Sequence, residues 1–199
     1  CETTILPAVN KPFCIRRMCE REDMELADAL LENTSVTYLR LETEKYTKSS
    51  AEAMAKYLRT SKCLQRLHWN GEIHAELRHW EEILCCFLPA IQESTSLKEL
   101  HITFPVTGGP SNLAFRNMLT HTQSLRSLTL RIISRNDALP EICVGDVVAV
   151  SSGLKKNTTL RELTLEFSKD ATDTKDISPI FTSIRDNPLL RRLCLKGSV

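Results

Sequence analysis

A charge excess of either sign is missing from this chain: 26 Lys and Arg stand against 25 Asp and Glu, a formal net charge of +1. That leaves no overall field to recruit nucleic acid or an anionic membrane. Long apolar runs are missing too. The best candidate, residues 142–150, is interrupted by Gly145 and Asp146 and falls well short of the roughly 18 to 20 residues that cross a bilayer. Aromatics make up only 6% of the 199 residues, and six Gly and eight Pro are too few for a collagen-like or low-complexity chain. The N-terminus shows no basic stretch leading into an apolar one and begins with Cys1, so the chain is either processed or cut from something longer; the strand ending at Leu195 with no helix after it to cap the array favours a fragment. With 42% hydrophobic residues, the composition is that of a soluble globular protein.

The eight cysteines form no CxxC pair and no regular spacing. Most sit where a small hydrophobe belongs, as Cys85 and Cys86 do inside WEEILCCFLPAI, which predicts buried or half-buried free thiols in a reducing, cytoplasmic setting.

A repeat is present. Aligning a polar turn followed by Leu-x-x-Leu-x-Leu gives NTSVTYLRL, SKCLQRLHW, STSLKELHI, TQSLRSLTL, NTTLRELTL and NPLLRRLCL. Their first apolar residues, Val36, Leu64, Leu97, Leu125, Leu160 and Leu190, lie 28, 33, 28, 35 and 30 residues apart. The two long intervals predict insertions, placed near Thr107–Pro110 and Ile133–Glu141. Alternate apolar positions close each copy (Leu39 and Leu41, Leu67 and Trp69, Leu100 and Ile102, and so on to Leu193 and Leu195), which is strand periodicity.

Between copies the apolar spacing becomes helical. The clearest stripes are Ala51, Met54, Ala55 and Leu58; Trp80, Ile83, Leu84, Phe87, Leu88 and Ile91; Val144, Val147, Val148, Ser151 and Leu154; and Ile177, Ile180, Phe181 and Ile184. Weaker stripes run from Met24 to Leu31 and from Phe115 to Leu119. Ser49 with Glu52 predicts a capping box, and Ser178 before Pro179 predicts an N-cap. One strand plus one helix cannot bury both apolar faces alone, so the units must stack into a solenoid with parallel strands on one side and helices on the other. Residues 22–199 form the expected repeat domain. Residues 1–21 fall outside the repeat, with a short strand expected at Thr3–Leu6.

If the leucines point inward, the alternate strand positions point out. The first outward row is Tyr38, Arg66, Glu99, Ser127, Glu162 and Arg192. The second is Arg40, His68, His101, Thr129, Thr164 and Cys194, and the third is Glu42, Asn70, Thr103, Arg131, Glu166 and Lys196. This surface of mixed sign suits a protein partner better than a phosphate backbone. The expected contact residues are Tyr38, Arg40, Arg66, His68, Glu99, His101, Thr129, Arg131, Glu162, Glu166, Arg192 and Lys196. Opposite charges also fall side by side (Arg66 with Glu99, Arg131 and Lys196 with Glu166, Arg192 with Glu162), so the face could equally pair with itself.

No catalytic constellation is visible, and neither enzyme activity nor a metal or cofactor is expected. His68 and His101 are lateral neighbours, but the adjacent Arg40 and Thr129 cannot complete a zinc site, and Cys194 lies at the far end of the row. Gly108-Gly109-Pro110 matches no phosphate-binding fingerprint and reads as a turn. The sequons at Asn33 and Asn157 fall at the same place in the repeat, where the turn pattern generates them anyway.

A helix, a polar turn such as NTS or NTT, and LxxLxL at a period near 28 to 30 resemble the ribonuclease-inhibitor-like leucine-rich repeats over about residues 22 to 196. The Asn and Gly that commonly follow LxL in that family are mostly absent here. The resemblance implies an α/β horseshoe of about six repeats, strands on the concave side and helices on the convex side. The same pattern occurs in the repeat regions of NOD-like receptors and of F-box substrate receptors. It therefore implies a non-catalytic protein-binding scaffold, read first as the sensing region of an intracellular NOD-like receptor and alternatively as the substrate-recruiting part of an F-box ubiquitin ligase.

Overall fold

A computed structural model describes residues 13–16, 20–42, 47–70, 77–105, 110–133, 144–167 and 178–197. Seven strands alternate with six helices among them. In chain order they are β1 (Phe13–Arg16), α1 (Glu20–Glu32), β2 (Tyr38–Glu42), α2 (Lys48–Thr60), β3 (Arg66–Trp69), α3 (Leu77–Glu93) and β4 (Glu99–Pro105). They continue with α4 (Ser111–His121), β5 (Ser127–Ile133), α5 (Val144–Lys156), β6 (Glu162–Phe167), α6 (Ser178–Asp186) and β7 (Arg192–Gly197). The strands form one parallel sheet in sequential order, and each helix packs against the next, as a solenoid requires.

Register follows the repeat alignment. Phe13, Leu39, Leu67, Leu100, Leu128, Leu163 and Leu193 are successive lateral partners across the sheet. A second line holds Leu41, Trp69, Ile102, Leu130, Leu165 and Leu195. Every member from β2 to β6 is buried against the helices. The ladder is less uniform than expected at its last rung, where Leu193 is 39% and Leu195 51% exposed, because only β6 flanks β7 among the described residues. Trp69 stands where the other strands carry Leu or Ile, and its larger ring stacks on Phe87 of α3 at 4.4 Å.

The turn residues that opened five of the six repeat copies share one task. A side-chain oxygen at the first position accepts a hydrogen bond from the backbone N–H three residues on. Asn33 Oδ1 takes Val36 N (2.9 Å), Ser61 Oγ takes Leu64 N (3.2 Å), and Ser94 Oγ takes Leu97 N (3.4 Å). Asn157 Oδ1 takes Leu160 N (2.7 Å), and Asn187 Oδ1 takes Leu190 N (3.2 Å). A second set reaches between repeats. Ser96 Oγ donates to Ser61 O (2.8 Å), Ser124 Oγ to Ser94 O (2.6 Å), Thr159 Oγ1 to Thr122 O (3.2 Å) and Asn187 Nδ2 to Asn157 O (3.0 Å). Buried turn carbonyls that lie outside the strand ladder thereby gain partners.

Several local expectations need correction. The capping box of α2 joins Thr47 and Ser50, not Ser49 and Glu52, because the helix begins two residues earlier, at Lys48. Helix α6 begins at Ser178 itself. In α5 the buried stripe is Val147, Val150, Ser151 and Leu154, while Val148 is 50% exposed, one helical position round from the face that meets α4. Phe181 of α6 is likewise exposed. The 33-residue interval runs from Leu64 to Leu97 and so does not include Thr107; it contains α3, at 17 residues the longest described helix, and residues 70–76 before it. The extra length of the 35-residue interval falls between β5 and α5, at 134–143. Those residues, Gly108, Gly109 and the expected strand at Thr3–Leu6 lie outside the described residues. The sheet also starts before the first repeat copy: β1 pairs with β2 although no turn motif precedes it.

Two sets of variants test this packing. Asn157 is 2% exposed and donates to Leu119 O at 2.5 Å while accepting from Thr159 N and Leu160 N. Asn157→Ala should cost about 3 kcal/mol and lower the melting temperature by about 10 °C. Thr122 occupies the same turn position, but its buried Oγ1 has no partner, so Thr122→Val should leave stability within about 0.5 kcal/mol or raise it. Equal effects of the two would refute the division of labour. Gly153 of α5 faces α4 so closely that an added Cβ would lie 2.7 Å from Leu119 Cβ. Gly153→Ala should therefore destabilise by about 1 to 2 kcal/mol despite the better helix propensity of Ala, as thermal melts would show.

Candidate functional site

The outward rows stand where the strand pleat puts them. In the first, the Arg66 guanidinium lies 5.5 Å from the Tyr38 ring centroid and its Nε is 3.9 Å from Glu99 Oε2. Further along, Arg192 Nη1 meets Glu162 Oε1 at 3.1 Å. Both ion pairs are solvent-exposed and contribute about 0 to 1 kcal/mol each, too little to explain the fold. In the third row Thr103 Oγ1 donates to Asn70 Oδ1 at 2.9 Å, and Lys196 Nζ donates to Glu166 Oε1 at 2.9 Å. That hydrogen bond and the charge of Glu166 raise the Lys196 ammonium above its ordinary pKa. Arg40 and Glu42 pair along β2, joining the second and third rows.

One expected pair does not form. Arg131 is the register partner of Glu166, but the carboxylate goes to Lys196, and Arg131 has no ion-pair partner among the described residues. It is exposed on β5, on the same face as Thr129.

The second row brings His68 and His101 into a stack, with ring centroids 4.0 Å apart and planes 18° apart. Both rings are half-buried. Burial is the largest cause lowering the pKa of each. His101 and Arg40 add to the effect on His68, which falls to about 4; for His101 the Glu166 carboxylate opposes the shift, while Arg131, Lys196 and Arg40 act against protonation. Two imidazolium ions could not share this stack, and near neutral pH both rings are uncharged. Thr129 and Thr164 continue the row at much lower height, and Cys194 ends it. At the other end Cys14 of β1, paired with Arg40, extends the row by one position that the repeat alignment did not reach.

All twelve expected contact residues therefore lie on β2 to β7 on one face, with Arg40, His68, His101 and Thr129 at its centre. Ser127 shares the face by register, and Asn70, just past β3, is joined to Thr103 by a hydrogen bond; both were legible from the same alternation. Among the described residues, no cluster of three or more His, Cys, Asp or Glu side chains is arranged to hold a metal. The described cysteines 14, 63, 85, 86 and 194 are free. Cys14 and Cys85 are exposed, against the expectation of burial. Partial desolvation against the helix surface, aided by Glu81 for Cys85 and Glu52 for Cys86, raises both thiol pKa values and so disfavours the nucleophilic thiolate. The two sequons differ: Asn33 is exposed, whereas the Asn157 amide is buried and already bonded to Leu119 O. No helix among the described residues is long and apolar enough to cross a membrane.

No protein-family model matches this chain, and no curated protein matches it in sequence. Among solved structures, the chain is similar to leiomodin-1 actin-binding site 2, with a TM-score of 0.54 and 16% identity over 83% of this chain and 87% of that one. At that identity the likeness speaks for the fold. With the seven parallel strands and alternating helices it establishes an α/β solenoid of the leucine-rich-repeat type.

The depressed histidine pKa values predict a pH dependence. A folded-state pKa below the unfolded value near 6.5 means that the unfolded chain binds more protons between the two. Stability should be full above pH 6.5 and should fall as pH drops towards 4. Proton NMR of the imidazole Cε1–H should place the His68 midpoint near 4 and that of His101 below 6.5; ordinary midpoints for both would contradict the stacked, half-buried pair.

Proposed function

We propose that this chain is a non-catalytic scaffold that holds a protein partner against its strand face. The observation carrying the proposal is the register, which places polar side chains in two continuous rows over β2 to β7 and brings Arg131, Glu166 and Lys196 side by side in a third over β5 to β7, so that both signs of charge share one face. Such a surface offers a partner donors, acceptors and charges at fixed spacings of about 4.8 Å. Rings of Tyr38, His68 and His101 lie among them, and aromatic groups commonly anchor interfaces. The actin-binding site of leiomodin-1 has a similar fold, which supports a protein as the kind of ligand.

Within this reading, a cytoplasmic setting and the role of sensing region in a NOD-like receptor rest on the sequence resemblance and on the free thiols. Recruitment of substrates to an F-box ubiquitin ligase rests on the same resemblance.

Charge reversal tests the proposal. Arg131→Glu combined with Glu166→Lys should weaken binding of a cognate protein at least tenfold in pull-down and titration, whereas Lys56→Glu, exposed on α2, should not. Unchanged binding by the strand-face variant, or loss confined to the α2 variant, would move the interface to the helices.

A further inference from the structure

The middle row of the strand face changes height abruptly at one point. His68 and His101 stand as stacked rings, and the next lateral positions, on β5 and β6, are Thr129 and Thr164. The rings of lateral neighbours stack across the strands, so one face of His101 is covered by His68 and the other looks over Thr129. Thr129 and Thr164 are half-buried, and Ser127 flanks Thr129 in the first row, leaving a low floor of small hydroxyl side chains. The Glu162–Arg192 and Glu166–Lys196 ion pairs bound that floor on its far side.

Two strand spacings of about 4.8 Å separate His101 from Thr164, enough for one further ring to stand beside His101 at stacking distance. Arg131 lies two residues along β5 from Thr129 and has no carboxylate partner among the described residues, although Arg40, Arg66, Arg192 and Lys196 on the same face each have one.

We infer that this step is a recognition slot for an aromatic side chain of a protein partner, with a neighbouring carboxylate of the same partner bound by Arg131. The inference rests on the reading of the strand face as the protein-binding surface and names what that surface selects. An aromatic ring over Thr129 would extend the histidine stack to three rings and cover the half-buried imidazole. A guanidinium or ammonium group would fit the same space, but the Glu166 carboxylate, first among the charges acting on His101, is already held by Lys196, and Arg131, Arg40 and Lys196 would repel a further cation. A carboxylate beside the ring complements Arg131, which has no ion pair among the described residues. The partner motif is therefore a Phe, Tyr or Trp within about two residues of an Asp or Glu, the reach of one extended dipeptide.

The probe is a phage-displayed library of random dodecapeptides panned against the full chain, followed by synthesis of the enriched peptides. Enriched sequences should carry an aromatic residue close to an acidic one. Their affinity, measured by fluorescence polarisation, should fall at least tenfold for His101→Ala, for Arg131→Ala and for Thr129→Trp, which fills the slot in cis. His101→Ala and Arg131→Ala alter half-buried or exposed side chains, so they keep the test valid if Thr129→Trp disturbs folding. Ring currents from the bound peptide should shift the His101 imidazole protons upfield in the wild-type chain. Enrichment of peptides without aromatics, indifference to all three substitutions, or no enrichment overturns the slot. If those substitutions are silent while Arg66→Glu with Glu99→Lys abolishes binding, the slot fails and the strand-face reading stands. If neither set matters, both fail.

Discussion

The fit of each turn-and-strand unit onto the unit before it places every other feature of this molecule. Two kinds of contact make that fit, and they do different work. Each leucine buried in the ladder contributes about 1.5 to 3 kcal/mol through removal of apolar surface from water. That force has no direction, however, and would tolerate a sliding strand. The turn side chains supply the direction. Ser96, Ser124, Thr159 and Asn187 each donate to a turn carbonyl of the preceding repeat, which ties one unit to the next at a single offset. A slip of one residue would break those bonds and turn every leucine to solvent.

With register fixed, the strand face is determined one position at a time, and its electrostatics are local. Arg66 pairs with Glu99, Arg192 with Glu162 and Lys196 with Glu166 across neighbouring strands, while Arg40 pairs with Glu42 along its own strand. Neutralisation is thus accomplished between neighbours, which explains why a chain of net charge +1 presents a densely charged surface without a strong long-range field. The middle row works differently. Among the described residues its two histidines have no carboxylate in an ion pair with them, and burial outweighs the pull of Glu166 to keep them neutral, so they offer flat rings and N–H groups instead of charge.

The helical side shows where the repeat departs from regularity. Trp69 enlarges one rung of the second ladder and stacks on Phe87, within the repeat whose helix is the longest of the six described. Gly153 permits the close approach of α5 to Leu119 of α4. Each departure is a local exchange of volume between a strand and its helix or between adjacent helices, and none disturbs the sequential strand order.

The sequence by itself determined the class of fold, the strand register and most of the outward rows, although Thr103, assigned to the third, is buried at 1% exposure. Alternation at period 2 and a recurring polar turn are properties of the linear chain that parallel stacking simply repeats. It could not determine which neighbours use one another. Glu166 had two cations within lateral reach, and only the tertiary structure assigned it to Lys196 and left Arg131 without an ion-pair partner among the described residues. Nor could helical spacing show that Val148 would face out while Val150 faced in, since that depends on how α5 is rotated against α4 around Gly153. The strand Phe13–Arg16 escaped detection because no polar turn precedes it, and only pairing with β2 brings it into the sheet. Periodicity reports which side of an element is apolar; the partner that meets that side, and the distance at which it does so, is settled by packing in three dimensions.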